Sequence, residues 1–444
     1  MPMTSHQTSR RNFLAAAGGI SALNLLPSGT LFGKDPKPND RMNIAFIGMG
    51  GQIQGHVANI LNQGQHVAAF CDVDKRQIEN SKKRHGNQVN KVKEYEDYRE
   101  LIEKEKSVDA VVIATPDHWH APICRAAMKA GKHVYCEKPL THTVYEARTL
   151  ANIAKAHQLK TQMGTQIHAL ANYRRVVELV QSGGIGKVER VHVWANAVYT
   201  GAKFVKSEKP EHVDWDLWLG PAPQRDYCAD IHPFNWRKFW DYGRGSLVDF
   251  GCHYLDLAHW ALELRNPLAV KAKGPEVDPV STPAWCIVDY QYPSRGKKPP
   301  VHLTWYDSGK RPKEIEGLKD LAGNPIAPWG GGQLFVGTKG MILSNYSQHI
   351  VLSPEGHQIQ YKVPDPWISD SIGHHNEWLQ AIRDDGETTC NFDYSGALTE
   401  SVLLGTVAYQ SGEQLEWNSK KLQVTNSRRA QQLIHKEYRK GWEL

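Results

Sequence analysis

Three ionisable residues of this chain have the types and the spacing for acid–base chemistry on a hydroxyl group: Lys138, Asp249 and His253. Oxidising a secondary alcohol requires a base for the hydroxyl proton and a cation for the developing alkoxide. His253 is the best base because histidine titrates near neutral pH, although a histidine taken alone is more often a core residue. Asp249 lies four residues earlier, on the same face if the segment is helical, and can orient the imidazole. Lys138 can donate to the reacting oxygen.

A glycine-rich turn follows the first apolar run, reading Gly-Met-Gly-Gly-Gln-Ile from Gly48. Gly48 and Gly50 allow a tight turn and a close approach of the backbone to a pyrophosphate, with the N-terminus of the next helix facing the anion. The third glycine position of the dinucleotide fingerprint is occupied by Ile53, so we expect a slightly displaced helix. Glycine loops after strands are common, and the turn alone is weak evidence.

The second apolar run ends at Asp72, 72 − 50 = 22 residues after Gly50. An acid at this distance can accept hydrogen bonds from the ribose hydroxyls of NAD, and it repels the 2′-phosphate of NADP. Lys75 and Arg76 follow closely, so NADP is less favoured but stays open. The alternative is that Asp72 only caps the next helix.

Two later loops complete the predicted cofactor crevice, because ligands of such sheets bind outside the carboxyl ends of the strands. One loop contains Thr115-Pro116 and His120, and the other contains Glu137-Lys138-Pro139. The peptide bond before Pro139 is a candidate for the cis form. The candidate cofactor-binding residues are Gly48, Gly50, Gly51, Gln52, Ile53, Asp72, Thr115, Pro116, His120, Glu137 and Lys138.

No metal is expected at this site. His118 and His120 lack the glutamate and the i,i+4 spacing of a metalloprotease helix. The seven cysteines include no Cys-x-x-Cys pair and are odd in number, which disfavours a zinc site or a dense disulfide framework.

Composition describes an ordinary globular chain of 444 residues with a net charge of +6. Basic residues are enriched in the C-terminal tail and form no stripe, so nucleic acid is not an expected partner. Near the N-terminus, Arg10-Arg11-Asn12-Phe13-Leu14 opens an apolar stretch that is too short to span a bilayer. It resembles a twin-arginine signal, which predicts export to the periplasm. Cleavage is left open, so an uncleaved anchor is an alternative.

The alternation of apolar and amphipathic segments predicts an α/β protein with an N-terminal, doubly wound parallel sheet. Expected strands are 42–47, 66–71, 108–114 and 133–136, and expected helices lie near 54–62, 74–85, 96–106, 118–130 and 143–157. In the second half, 187–199, 285–292, 301–306 and 333–343 are expected strands. The predicted domains are a signal segment (1–33), a linker (34–41), a Rossmann domain (42–163) and a C-terminal domain for substrate binding and oligomerisation (164–444).

These motifs together resemble the Gfo/Idh/MocA family of NAD(P)-dependent sugar and cyclitol oxidoreductases. The resemblance rests on the glycine turn, on Thr115-Pro116 with His120, on Glu137-Lys138-Pro139, and on the segment from Gly243 to Asp256. It implies a Rossmann domain followed by an α/β domain with a large, open, mainly antiparallel sheet that supports homo-oligomers, either dimers or tetramers. It also implies that Lys138, Asp249 and His253 are the catalytic residues.

The substrate-binding candidates are His168, Tyr173, Trp236 and Arg237. Aromatic faces beside polar side chains suit a sugar ring, which has apolar C–H faces and hydroxyl edges. Most of the tryptophans near residue 236 are nevertheless expected in the core or at an interface.

Three functions remain open. The first is an oxidoreductase acting on a secondary alcohol of a sugar or cyclitol, with a cofactor that is loaded before export and then kept. The second is a redox-neutral, NAD-dependent glycosidase that acts by transient oxidation and elimination. The third is a cofactor-loaded binding protein without turnover, which the retention of all three catalytic candidates disfavours.

Overall fold

The computed structural model describes residues 41–444. The predicted export signal (1–33) and nearly all of the predicted linker therefore lie outside the described residues.

The first sheet is built from the short apolar runs of the N-terminal half. Its strands are β1 (Asn43–Ile47), β2 (His66–Cys71), β3 (Lys93–Tyr95), β4 (Ala110–Ile113), β5 (His133–Cys136) and β6 (Thr161–Met163). All neighbouring pairs are parallel, in the order β3-β2-β1-β4-β5-β6. The order reverses between β1 and β4, and this switch opens a crevice at the carboxyl ends of these strands. The predicted Rossmann sheet is thus confirmed.

Helices connect and cover the strands. They are α1 (Ile53–Asn62), α2 (Lys75–His85), α3 (Tyr98–Lys104), α4 (His120–Lys129), α5 (Val144–Ala156), α6 (Ala171–Gln181), α7 (Trp215–Leu219), α8 (Gly245–Tyr254), α9 (Asp256–Leu262), α10 (His374–Arg383), α11 (Phe392–Ser411) and α12 (Arg428–Leu433). Thr143 and Glu146 form a capping box that fixes where α5 begins, directly after the Glu-Lys-Pro segment.

The second sheet has nine strands and is mainly antiparallel. They are β7 (Val188–Ala195), β8 (Ala269–Lys273), β9 (Ile287–Tyr292), β10 (Val301–Asp307), β11 (Gly331–Gly337), β12 (Met341–Ser344), β13 (His349–Leu352), β14 (Leu415–Asn418) and β15 (Gln423–Val424). Their order is β13-β12-β11-β7-β10-β9-β8-β14-β15. Among the described strands of this second sheet, only β7 and β10 pair in parallel.

One predicted strand of this sheet is wrong in extent. The run 333–343 is an antiparallel hairpin rather than one strand, because a turn at residues 338–340 separates β11 from β12. The Gly337 amide donates to the Gly340 carbonyl at 2.9 Å and closes this turn. The two buried strands flank Gly337-Thr338-Lys339-Gly340, and these turn-forming residues were the signal for the hairpin.

The two halves share their cores. Helix α10, from the C-terminal half, inserts Trp378 and Leu379 into the apolar cluster that contains Ile44 and Phe46 of β1. The long buried helix α11 packs on α5 and on α8. The glycine-turn side of the first sheet is therefore supported by residues that lie more than three hundred positions later in the chain.

A long connection between β7 and α8, residues 196–244, folds around its own aromatic core and is called the aromatic segment below. It is hydrogen-bonded to the first sheet at two places. Beyond β2, the Asp214 amide donates to the Val73 carbonyl at 2.9 Å. Beyond β4, the Trp119 indole donates to the Trp218 carbonyl at 2.9 Å. The aromatic segment thus crosses the crevice and is fixed on both sides of it.

The last residues, 434–444, form a tail that runs back over this junction. Arg439 donates through Nε to the Gly220 carbonyl at 2.8 Å, and Trp442 packs edge-on against Trp119 at 5.1 Å. Lys436 pairs with the buried Glu146 at 2.8 Å. The tail therefore ties the aromatic segment to the first sheet.

Within residues 41–444, no helix combines the length and the apolar character that a membrane span requires.

Candidate active site

One large cleft of about 1700 Å³ lies between the carboxyl edge of the first sheet and the aromatic segment. Its wall includes the glycine turn at one end and the proposed catalytic residues at the other. Nine of the eleven predicted cofactor-binding residues line it: Gly48, Gly50, Gly51, Gln52, Asp72, Thr115, Pro116, Glu137 and Lys138.

The glycine turn has the shape that a dinucleotide requires. Gly48 has φ +86°, and a Cβ atom there would lie 2.8 Å from the backbone of Ala114, so only glycine fits between β1 and β4. At Gly50 and Gly51 a Cβ atom would meet nothing within 4 Å. The space in front of these two residues is therefore free for a pyrophosphate at the N-terminus of α1.

Asp72 closes the turn from the side of β2. Its carboxylate accepts from the Met49 amide at 2.5 Å and from the Asp74 amide at 2.7 Å. Burial raises the pKa of Asp72 to about 7, although the two amides oppose this shift. Asp74 and Asp97 line the same end of the cleft, so this end is acidic and disfavours the 2′-phosphate of NADP.

The end of the cleft that contains Lys138, Asp249 and His253 is called the reacting end below, and Asp249 lies at its centre. Lys138, directly after β5, places Nζ 2.7 Å from Asp249 Oδ1, and Arg237 places Nε 3.2 Å from the same oxygen. Burial opposes ionisation of Asp249, but Lys138 and Arg237 outweigh it and hold the pKa well below its usual range. The Lys138–Pro139 peptide bond is cis. The Lys138 ammonium is thus held at the cleft by a permanently ionised carboxylate.

His253 lies on α8 with Asp249, so the helical arrangement expected from their spacing is present. Both side chains line the cleft. Burial and the neighbouring Lys138 lower the pKa of His253 to about 3, below the near-neutral value expected from its residue type. Its Nδ1 is buried without a hydrogen-bond partner within the described chain. The imidazole is therefore neutral at neutral pH.

Two predicted cofactor-binding residues do not line the cleft. Ile53 is fully buried in the core under the turn, at the first position of α1. His120 is buried as well, and its ring bridges the Thr115 carbonyl at 2.9 Å and the Pro139 carbonyl at 2.7 Å. Both side chains are packed behind the loops that they support, and cofactor binding by these two residues stays a prediction.

Two predicted substrate-binding residues are also placed in the core. Tyr173 is fully buried and donates to the main-chain carbonyl of His253 at 3.2 Å. His168 is buried, stacked on Trp260 at 3.9 Å and paired with Asp256 at 2.9 Å. Neither lines the cleft, and substrate contact by these two residues stays a prediction. Tyr173 contacts the end of α8, which carries Asp249 and His253, and His168 contacts α9.

The His168–Asp256 pair belongs to a buried group with Cys390, whose possible ligand atoms lie within 4.8 Å of one another. Burial alone would lower the pKa of His168, but Asp256 outweighs this effect and raises it to about 10. A protonated imidazole cannot ligate a metal, so these contacts are those of an ion pair.

Trp236 and Arg237, the other substrate candidates, do line the cleft. The Arg237 guanidinium lies 4.1 Å from the centre of the Trp236 ring. Exposed Phe234 lies on the same wall. This wall offers an aromatic face together with a cation, beside Asp249.

Asp117 was not among the residues predicted for the site. It lines the cleft and is 2% exposed, and its Oδ2 has no hydrogen-bond partner among residues 41–444. Burial raises its pKa well above the usual value, which favours the protonated form of the carboxyl. Its position directly after Thr115-Pro116 was the available signal.

Comparison with known proteins agrees with this geometry. Residues 42–165 match the Gfo/Idh/MocA model described as an oxidoreductase family with an NAD-binding Rossmann fold. Residues 172–298 match the model for the C-terminal alpha/beta domain of that oxidoreductase family. Together the two matches span more than half of the chain.

Among curated proteins, glycosyl hydrolase family 109 protein 1 from Shewanella sp. (strain MR-4) is 29% identical over 206 residues. The alignment covers 41% of this chain and 45% of the relative, so the chain spans about half the length of the curated relatives it matches.

Solved structures share the fold at low sequence identity. The dehydrogenase WlbA from Bordetella pertussis, in complex with NADH and UDP-GlcNAcA, is 15% identical with a TM-score of 0.59, covering 85% of this chain and 99% of WlbA. The aldose-aldose oxidoreductase from Caulobacter crescentus, complexed with glycerol, is 18% identical with a TM-score of 0.58, covering 85% and 100%. The geometry of the glycine turn and both domain matches agree. The chain therefore belongs to the Gfo/Idh/MocA oxidoreductase family, and its Rossmann domain is an NAD-binding domain.

Proposed function

We propose that this protein is an NAD-dependent oxidoreductase that acts on a secondary alcohol of a sugar or cyclitol and keeps its cofactor between turnovers. The observation that carries the proposal is the Lys138–Asp249 pair, 2.7 Å long, in the same cleft as His253 and the glycine turn. NAD, when bound, supplies the acceptor and donor of hydride for the substrate carbon.

The residues of the chain would handle the proton and the charge. Lys138 Nζ would donate a hydrogen bond to the substrate oxygen and stabilise it as negative charge develops. His253 would accept the hydroxyl proton, since its side chain lines the cleft and its imidazole is neutral. Asp249 would keep the ammonium of Lys138 in place. In the reverse direction, the low pKa of His253 makes its protonated form a strong acid toward the alkoxide.

The wall beside Asp249 supports a carbohydrate as the substrate. Trp236 and Phe234 supply aromatic faces for the C–H side of a pyranose ring, and Arg237 supplies N–H donors for hydroxyl groups. The structural relatives point in the same direction, since one was solved with a nucleotide sugar and another is named an aldose-aldose oxidoreductase.

Retention of the cofactor is supported by the way the cleft is closed. The aromatic segment is hydrogen-bonded beyond both β2 and β4, and the C-terminal tail holds it there. Release of a dinucleotide would require several of these contacts to break. A retained cofactor must be restored on the enzyme, which implies a second substrate that is reduced before the next turnover.

A redox-neutral glycosidase is the second candidate, and the names of the curated relatives favour it. In that reaction a ring carbon is oxidised transiently, and the neighbouring C–H becomes acidic and loses its proton. The glycosidic bond then breaks, water adds, and the ring carbon is reduced again. Asp117, whose carboxyl pKa is raised by burial, would be a suitable acid for the departing oxygen.

One experiment separates the two candidates. The protein is purified without added nucleotide, and any bound cofactor is released by denaturation and identified. The native protein is then offered free sugars and glycosides while absorbance is followed at the reduced-nicotinamide band. Reduction by free sugars supports the oxidoreductase, and glycoside cleavage without net reduction supports the glycosidase. A preparation that never contains NAD would contradict cofactor retention.

We also propose that the chain is exported through the twin-arginine pathway and assembles as a dimer or tetramer. The N-terminal Arg10-Arg11-Asn12-Phe13-Leu14 sequence supports the first point, and the open nine-stranded sheet supports the second. Cell fractionation of an Arg10→Lys, Arg11→Lys variant tests export, and light scattering of the purified protein tests assembly.

A further inference from the structure

Glu137 lies at the centre of a buried network that the proposed reaction does not use directly. Its Oε1 is 2.9 Å from Nε2 of His56 and accepts from the Gln166 side chain at 2.8 Å. Its other oxygen, Oε2, accepts from the Lys138 main-chain amide at 3.2 Å. Three elements of the chain therefore converge on one carboxylate immediately before the catalytic lysine.

The protonation of this network follows from its contacts. Burial alone would raise the pKa of Glu137, but His56 and Lys138 outweigh it and lower the pKa to about 2. The carboxylate is therefore ionised, and Nε2 of His56, at 2.9 Å from Oε1, is the ring nitrogen that approaches it. His56 is 1% exposed, so water does not reach its ring to replace the contact with Glu137.

A second histidine fixes the ring of His56. Nδ1 of His56 lies 2.7 Å from Nε2 of His375, which is on α10 of the C-terminal half. The His375 ring is stacked on Tyr135 at 4.9 Å with an interplanar angle of 7°. The hydrogen bond to His375 thus holds the His56 ring with Nε2 toward Glu137.

The contacts of Glu137 affect which carboxylate the Lys138 ammonium pairs with. An ionised carboxylate buried beside a lysine is a strong competitor for the ammonium group, and Glu137 and Asp249 both attract Lys138. Lys138 Nζ pairs with Asp249, whereas the side-chain cation candidate closest to Glu137 Oε1 in the ion-pair contacts of the described residues is His56. Removing the His56 ring would leave Glu137 with only the neutral Gln166 and main-chain donors, and Lys138 is the neighbouring cation that already attracts it.

We infer that His56 is a positioning residue for the reaction: by holding Glu137, with His375 behind it, it keeps the Lys138 ammonium on Asp249 at the reacting end of the cleft. His56 lies on α1, whose N-terminus carries the glycine turn. The network therefore joins the pyrophosphate end of the cleft to its reacting end. This inference rests on the proposed function for its kinetic consequence, but not for its structural one.

The structural test compares crystal structures of His56→Ala and His56→Gln in the full-length protein. In His56→Ala we expect Lys138 Nζ to leave Asp249 and pair with Glu137. In His56→Gln the amide supplies both a donor for Glu137 and an acceptor for His375, so the Lys138–Asp249 pair should remain. If His56→Ala does not fold, His375→Ala, which frees the His56 ring to rotate, takes its place. An unchanged Lys138–Asp249 pair in the variant that lacks the donor or its support overturns the inference.

The kinetic test uses the same variants with bound NAD and whichever substrate the native protein turns over. We expect kcat to fall about 10- to 100-fold in His56→Ala with little change in KM, and His56→Gln to recover most of the loss. The control is His66→Ala, which removes an exposed histidine of the same domain and should leave kcat unchanged. Equal kcat in His56→Ala and the native protein contradicts the inference. A native protein without turnover contradicts the proposed function alone, because the crystallographic result stands by itself.

Discussion

Lys138 Nζ lies 2.7 Å from Asp249 Oδ1, although 111 residues separate them along the chain. Lys138 lies two residues after the end of β5 in the first sheet, whereas Asp249 is in the middle of α8 beside the second sheet. Each domain thus supplies one half of the pair, and Arg237 of the aromatic segment completes it. The reacting end of the cleft is formed only when both domains and the aromatic segment are folded together.

Replacing Lys138 by methionine should remove turnover and leave the fold intact. Methionine preserves most of the side-chain volume, and Arg237 still pairs with the buried Asp249 carboxylate, so no buried charge is left without a partner. Loss of the cation that holds the substrate oxygen should lower kcat about 10²- to 10⁴-fold. Single-turnover absorbance changes at the reduced-nicotinamide band measure this effect.

The matched control for this variant is Lys104→Met, which removes an exposed lysine paired with Glu100 on α3. It should retain native turnover and a native melting temperature. A Lys138→Met protein that keeps more than a tenth of the native rate would show that the ammonium does not stabilise the reacting oxygen.

Replacing Asp72 by alanine should weaken NAD binding and reduce the preference over NADP. The substitution removes the acceptor for the ribose hydroxyls and also the bond that holds the Met49 amide of the glycine turn. We expect the Kd for NAD to rise about tenfold, since each such hydrogen bond contributes about 1 kcal/mol. Titration of the protein after removal of its cofactor measures both dinucleotides.

Asp393→Asn is the control for Asp72, because this exposed carboxylate pairs with Arg265 outside the cleft. Its NAD affinity should equal that of the native protein. Unchanged affinity in Asp72→Ala would show that the carboxylate serves only the backbone of the turn.

Loosening the C-terminal tail should accelerate cofactor release without a direct effect on the site. In an Arg439→Ala, Trp442→Ala variant, the tail loses its bond to Gly220 and its packing on Trp119, and the aromatic segment loses a support. Since 1.4 kcal/mol corresponds to tenfold, loss of these contacts should raise the NAD release rate about tenfold or more. The fraction of protein with bound NAD after dilution, followed by native mass spectrometry, gives this rate.

Arg265→Ala is a suitable control for the tail variant, because Arg265 is a half-exposed arginine whose ion pair lies away from the cleft. Equal release rates in the tail variant, the control and the native protein would refute a role of the tail in retention.

The pH profile of kcat should lack an acid limb, which is the decrease in kcat at low pH that a histidine base with an ordinary pKa produces. Burial and Lys138 lower the pKa of His253 to about 3, so its imidazole is in the base form at every pH above about that value. A histidine with a pKa near 6.5 would instead lose its base form below that pH. We therefore expect kcat for alcohol oxidation to stay level as the pH falls from 8 to 5.

This profile is measured with NAD already bound, so that titration of Asp72 does not alter occupancy. An acid limb with its midpoint near 6.5 that disappears in His253→Gln would contradict the lowered pKa. Loss of turnover in His253→Gln at every pH, without such a limb in the native protein, would support a neutral imidazole as the base.

The sequence by itself determined the elements and the chemistry at their ends. Buried strands of the first sheet are short apolar runs, and the motifs directly follow them, so parallel pairing brings Gly48, Asp72, Thr115 and Lys138 to one edge whatever the rest of the chain does. The four-residue spacing of Asp249 and His253 likewise indicated a shared helix. Local periodicity carries this information because it reports which face of each element is buried.

Only the tertiary structure decided which side chains reach the cleft. His168 and Tyr173 follow the last strand of the first sheet as expected of binding residues, yet packing against Asp256 and α8 turns them into the core. Asp117 enters the cleft although its sequence position also suits a helix cap. The pKa of His253 depends on its burial and on an ammonium that lies 253 − 138 = 115 residues earlier in the chain. Long-range contacts set each of these properties, and no local pattern contains them.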